Sequence, residues 1–189
     1  MLDDSASPTP SSAAVTTCDQ LATGALEGVL APWGLAVVRV PEGQPIAGSW
    51  FGEPEAGIRG QQVFVRGDTP VHSALHEACH LILATVEGRG PVDADAGGDY
   101  DEENAVCLLQ ILLAEGLPGV GSERLMADMD TWGYSFREGS TGAWFEGDAE
   151  DARQWLRERG LLDEDGRPVA RRVFDTPEPL RPGSSNDGD

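Results

Sequence analysis

Lysine is missing from this chain of 189 residues: the 13 basic residues are all arginine, set against 33 Asp and Glu for a formal net charge of −20. Nucleic acids and anionic membranes are held through basic patches, so this balance argues against both as partners. It admits a cationic substrate or partner, and otherwise describes a solvated acidic surface. Cysteine is scarce as well. Cys18, Cys79 and Cys107 are odd in number and lack paired spacing, so no disulfide framework is expected. No apolar run approaches the roughly 20 residues of a membrane span. The N-terminal MLDDSASPTPSS has neither the basic start nor the apolar core of a signal peptide. A soluble, cytoplasmic protein is the expectation. With 40% hydrophobic and 24% charged residues, the composition is that of one globular domain with a real core.

Histidine is equally scarce, and its placement is the main signal. His72, His76 and His80 all fall within residues 69–85, TPVHSALHEACHLILAT. His76-Glu77-Ala78-Cys79-His80 spells H-E-x-x-H. On an α-helix, residues four apart share a face about 6 Å apart along the axis, so both imidazoles can reach one Zn²⁺. Glu77 can then sit beside the remaining metal position and take a proton from a water that the metal acidifies. Thr69 as N-cap, Pro70 at the first helical position and the apolar residues Ala74, Leu75, Ala78, Cys79, Leu81 and Ile82 predict a buried helix. His72 lies about 12 Å along the axis from His80. That is too far to share the ion, so it is expected to hydrogen-bond a neighbour or face the cleft.

The rest of the chain predicts an α+β domain. Residues 1–17 are rich in Ser, Thr, Pro and Ala and read as a disordered N-terminal segment; residues 18–175 read as a single domain, and 176–189 as a disordered tail. A helix is expected over 19–30, ended by Pro32 and Gly34, then a strand over 35–40. A second strand falls at 49–52, and a turn at 57–60 leads into a third strand over 61–66 directly before the His helix. A strand in that position can hold an extended peptide by edge pairing. Further helices are expected from the acidic stretch at 99–103 through Ala114, over 122–132 and over 148–159. The segment 133–146 alternates aromatic and polar residues, as a hairpin or ordered loop would. Residues 168–174 read as a short strand or extended piece.

Two imidazoles and a water leave one protein ligand of a catalytic zinc site to be found, and a carboxylate fits the His₂Glu pattern. Asp99, Asp101, Glu102 and Glu103 open the next helix about 20 residues after His80, far enough for the chain to turn and run back past the first helix. Glu103-Asn104-Ala105-Val106 resembles the Glu-Asn-x-Ala stretch that completes HExxH sites in the gluzincin branch of the zincin metallopeptidases. By that resemblance Glu103 is the third ligand, with Glu102 next in line. The layout is also similar in part to the ImmA/IrrE family, whose second helix carries an Asn followed by paired leucines, here Asn104 and Leu108-Leu109. That family places its ligand four residues before the Asn, where this chain has Tyr100. Gluzincins commonly carry an Asp four residues after the ligand to orient a zinc histidine. Cys107 stands there instead, so the support must differ or come from elsewhere.

Together these readings predict a compact zincin-like domain, with a small twisted sheet packed on the HExxH helix. It would hold one Zn²⁺ per chain and hydrolyse a peptide or protein substrate with Glu77 as general base. His76, His80 and Glu103 (or Glu102) would hold the ion, and the strand at 61–66 would align substrate. Tyr134, in an aromatic segment near Arg137, is the candidate donor to the oxyanion. The alternative is a zincin-like binding or regulatory module that keeps the metal without general proteolysis, as the ImmA/IrrE resemblance implies. Oligomeric state is not legible in the sequence.

Overall fold

The computed structural model describes residues 15–49, 52–89 and 99–170. Among them, six α-helices and a three-stranded mixed sheet make an α+β fold. The central element is the His helix, α2 (Val71–Val86), with α1 (Ala25–Leu30) preceding it in the chain. It lacks Gly and Pro, and 13 of its 16 residues are buried. Its start differs from the sequence expectation by one residue. Pro70 is itself the N-cap, in an extended conformation. The Thr69 hydroxyl is engaged by the Arg66 N–H at 2.9 Å.

The acceptor for the first helical N–H comes from the far end of the chain. Val71 N–H donates to Thr16 O at 2.9 Å, and Thr17 bridges to Pro70. Thr16 N–H in turn donates to the buried Asp128 carboxylate at 2.9 Å. The folded chain therefore includes residues 15–17, with Val15 3% exposed, and the segment read as a disordered lead-in reaches too far. Residues 1–14 and 171–189 lie outside the described residues, which takes in the tail and the end of the extended piece expected at 168–174.

The sheet consists of β1 (Ala36–Arg39), β2 (Gly57–Arg59) and β3 (Gln62–Val65) in the order β1-β3-β2. β1 runs parallel to β3, in register from Ala36↔Gln62 to Arg39↔Val65; β2 is antiparallel, with Ile58 opposite Val63. The first and third strands fall within their expected ranges. Ser49 and Gly52 are outside any strand, and residues 50–51 are not described. The second strand is instead Gly57–Arg59, read from the sequence as a turn because two glycines bracket Ile-Arg. Gly57 belongs in a strand here because a Cβ on it would come 2.1 Å from Ala47 O. Glycine allows the backbone at 47–49 to lie directly against β2. Ile58 and Val63, both fully buried, cover α2, and Ala56 N–H donates to the Ser73 hydroxyl at 3.0 Å.

α3 (Tyr100–Ala114) follows, then α4 (Gly121–Trp132), α5 (Thr141–Gly147) and α6 (Glu150–Glu158). Asp99 caps α3 by accepting from Glu102 N–H at 3.0 Å, and three more carboxylates in its first turn suit the positive end of the helix dipole. α3 packs along α2 and against α4 and α6, enclosing a core of Leu75, Leu81, Ile82, Leu108, Leu109, Ile111, Leu125 and Leu156. Between Asp19 and Leu30, the expected single helix is split. Cys18–Gln20 is one turn of 3-10 helix, and α1 starts only after Gly24, whose φ of +80° breaks the run. The segment 133–146 also divides: residues outside any helix or strand and a turn closed by Gly139 N–H to Phe136 O lead to α5, capped by the Ser140 hydroxyl accepting from Ala143 N–H at 3.1 Å.

Candidate metal centre

The i, i+4 spacing on α2 places His76 and His80 side by side, ring centroids 4.7 Å apart and nearly perpendicular. Their Nε2 atoms face each other at 3.1 Å. Glu103, in the first turn of α3, brings its carboxylate to 3.4 Å from His80 Nε2 and 3.8 Å from His76 Nε2. One ligand atom from each of the three residues lies within 4.8 Å of the others, a group that could hold a metal ion. A tetrahedral ion with bonds of 2.0–2.1 Å separates its ligand atoms by about 3.3 Å, close to the spacing found.

The hydrogen bonding agrees with that role. Gln110 Oε1 lies 2.8 Å from His76 Nδ1. A carboxamide oxygen only accepts, so the His76 proton sits on Nδ1 and its Nε2 presents a lone pair. That lone pair, aimed at His80 Nε2, calls for either a proton there or a cation between the rings. His80 Nδ1 is buried with no hydrogen-bond partner among the described residues. Burial holds both imidazoles far below the usual range, His76 to about 4 and His80 to about 3, so they are neutral and able to ligate at pH 7.

Gln110 is the residue that the sequence reading missed. It sits two turns after Glu103 on the same face of α3, fully buried. It supplies the support that Cys107 lacks: the Cys107 thiol is pushed up to about 12 by burial, with the Glu103 charge adding to the shift. The signal was present, since Gln110 is the one polar side chain of Ala105–Ala114 that can both accept and donate two hydrogen bonds. Its Nε2 reaches Met129 Sδ at 3.0 Å.

The carboxylates of the cluster divide. Glu103 joins the histidines, whereas Glu102, one residue earlier and about 100° around the helix, pairs with Arg89. Burial raises the Glu102 carboxyl, partly offset by the hydrogen bond from Arg89. Asp99 is the helix cap, and Asp101 lies exposed in the first turn. Neither belongs to the group with His76 and His80. Glu77 lies on α2 with 5% of its surface exposed, on the chain between the two histidines. Tyr134 packs edge-on to His76 at 5.9 Å, with its hydroxyl hydrogen-bonded to Gln110. Burial raises that phenol well above its usual range, and the nearby Cys107, Glu55 and Glu77 raise it further.

His72 departs from its expectation. It is buried against the Trp132 ring at 5.1 Å and the Tyr134 ring at 5.6 Å, and neither ring nitrogen has a hydrogen-bond partner among the described residues.

His76 and Glu103 line a cavity of about 440 Å³, closed on the other side by Trp132, Tyr134 and Phe136. Glu55 also faces it, its carboxyl raised by burial and partly lowered by a hydrogen bond with Trp132. A larger, shallower hollow of about 600 Å³ between α1 and the end of α3 is lined by no titratable side chain and carries no comparable chemistry. The expected substrate-aligning strand does not line the cavity: β3 is the middle strand, with β1 on one edge and β2 on the other. β2 is closed outside by the 47–49 backbone, where Ile58 N–H donates to Gly48 O at 3.3 Å. Compared with protein-family models, curated proteins and solved structures, the chain finds no match.

Proposed function

We propose that the protein is a zinc-dependent peptidase of zincin type, with His76, His80 and Glu103 holding the ion. The observation that supports this most is the convergence of two neutral imidazoles and a carboxylate from two different helices, with His76 and Glu103 lining one cavity. Two nitrogens and one oxygen at tetrahedral spacing match the ligand preference of catalytic zinc better than that of Mg²⁺ or Ca²⁺, which favour all-oxygen sites. When bound, zinc would supply Lewis acidity, bringing the pKa of water to about 7 and polarising a peptide carbonyl.

The chain's own residues perform the remaining steps. The Glu77 carboxylate takes the proton of the attacking water and passes it to the leaving amine, so one oxygen serves first as base and then as acid. Gln110 fixes the His76 tautomer and ring orientation. Tyr134, edge-on to His76, would donate to the carbonyl oxygen that develops charge.

Glu77→Gln is the test, because it keeps the size of the side chain and removes its basicity. One zinc per chain with peptide hydrolysis reduced at least about a thousandfold is expected. Hydrolysis that persists at the wild-type rate, with zinc retained, would remove Glu77 and this mechanism. Wild-type protein that binds no zinc after reconstitution would remove the metal centre itself.

A further inference from the structure

Four carboxylates line the cavity beside the metal centre: Glu55, Glu103, Glu138 and Asp148. Three of them are accounted for. Glu103 belongs to the group with His76 and His80. Glu138 and Asp148 hold Arg137, at 3.2 and 2.6 Å, and Arg137 is the one arginine of the lining among the described residues. Glu55 is left. Among the described residues, the Trp132 indole engages its carboxylate and no cation does.

Backbone hydrogen bonds fix the position of Glu55. Its N–H donates to Gly52 O at 3.1 Å, and the next residue, Ala56, donates its N–H to the Ser73 hydroxyl at 3.0 Å. Ser73 also lines the cavity, and it precedes His76 on α2 by three residues, about 4.5 Å along the axis. The loop carrying Glu55 is thereby tied to α2 one turn before the first metal ligand.

The surroundings fit a flat cation. Trp132, Tyr134, Phe136 and Trp144 line the same cavity, the last two stacked at 4.6 Å. An indole only donates, so Trp132 N–H takes one of the roughly four acceptor positions of the Glu55 carboxylate and leaves the others open. Burial opposes the charged form of that carboxylate. A cation seated beside it offsets this cost, and aromatic faces attract the same cation through their negative quadrupole. Guanidinium answers to both, being planar, always charged and weakly hydrated. The volume of about 440 Å³ lies within the roughly 300–1,000 Å³ of ligand pockets.

We propose that this cavity is a side-chain subsite for a basic residue of a peptide substrate, arginine above lysine, with Glu55 as its carboxylate and the aromatic residues as its walls. Cleavage of the bound peptide rests on the peptidase reading; its binding does not.

The test uses the full-length Glu77→Gln protein, with and without zinc, so that binding is read without turnover. The probes are acetylated, amidated pentapeptides of four alanines with arginine, lysine or citrulline at the centre. Citrulline keeps the shape of arginine and removes its charge. Calorimetric titration should show the arginine peptide binding about tenfold more tightly than the citrulline peptide, with lysine between them. In NMR spectra, the arginine peptide should move the Trp132 indole N–H resonance. Adding Glu55→Gln, which keeps the side-chain size and an acceptor for Trp132, should bring arginine down to the citrulline level. The citrulline affinity itself should stay unchanged, which reports that the cavity is intact. Glu42→Gln removes the same charge from an exposed position outside the lining and should keep the preference.

No binding of the arginine peptide, equal affinity for arginine and citrulline, or a preference that survives Glu55→Gln would each overturn the proposal. So would an equal loss with Glu42→Gln, or a Trp132 resonance that stays in place. Hydrolysis by the zinc-loaded wild type is measured separately. Binding through Glu55 without hydrolysis would sink the peptidase reading and leave the subsite standing, and hydrolysis with no preference for arginine would do the reverse.

Discussion

The two walls of the cavity are built in opposite ways. One is helical: α2 and α3 hold His76, His80, Glu103 and Gln110, so side chains projecting from helices carry the chemistry there. The other is aromatic: Trp132, Tyr134 and Phe136 line it as the chain leaves α4 and enters the turn that Gly139 N–H closes onto Phe136 O. Rigid helices suit a metal, which needs three atoms fixed to within a few tenths of an ångström. Aromatic side chains suit closure, which excludes water from the chemistry. The contrast assigns the ion to the helical wall and closure to the aromatic one, and each assignment can be broken separately.

On the helical wall, the largest effect is expected from comparing neighbours. Glu103→Ala should abolish stoichiometric zinc on elemental analysis, because two imidazoles alone hold the ion weakly. Glu102→Ala should retain one zinc per chain and cost about 1 kcal/mol of stability in urea through loss of the Arg89 pair. Zinc lost with Glu102 and retained with Glu103 would reverse the assignment. Across the cavity, Tyr134→Phe should keep the metal and lower kcat about a hundredfold if its hydroxyl stabilises the oxyanion. A fall in zinc affinity with kcat unchanged would instead make Tyr134 a positioning residue, acting on His76 through Gln110.

How much of this was legible in the sequence follows the same division. His76, Glu77 and His80 are fixed relative to one another by helical geometry alone, and α2 needed only its composition to be recognised. Glu103 emerges from the cluster because one residue turns a helix by about 100°, a difference that becomes decisive only once the direction of α3 is known. The sheet was harder. A three-residue strand flanked by glycines carries the local signature of a turn, and Gly57–Arg59 is a strand because the 47–49 backbone presses on it. Strand order is likewise non-local, so the sequence could not reveal that β3 is enclosed between β1 and β2. Thr16 as the acceptor for the α2 N-terminus was hidden in a stretch whose composition resembles linker.

Gln110 sharpens the helical side. Gln110→Leu keeps the volume but leaves His76 Nδ1–H without an acceptor and frees the ring to change tautomer. Zinc affinity, measured by competition with a chelator, should fall about 10- to 100-fold while the fold persists. Gln110→Glu, which still accepts, should retain more affinity than the leucine variant; equal losses would show that only packing matters there.

The smallest effect is expected where the two walls touch without polar contact. Burial against Trp132 and Tyr134 lowers His72 from its ordinary 6.5 to about 4. Between those values the unfolded chain takes up a proton that the folded protein refuses, so folding stability is lost as pH falls from about 6.5 towards 4. His76 and His80 act in the same direction in metal-free protein. His72→Phe keeps a ring in the aromatic wall and removes one titrating group. In urea unfolding of metal-free protein at pH 7 and pH 5, the variant should lose at most about 2 kcal/mol less than the wild type between the two. Zinc content at pH 7 should be unaffected, since His72 holds none of the ion. An unchanged pH slope would mean that the folded protein admits a proton to His72, and the wall would then be open to water at the point where it is drawn as sealed.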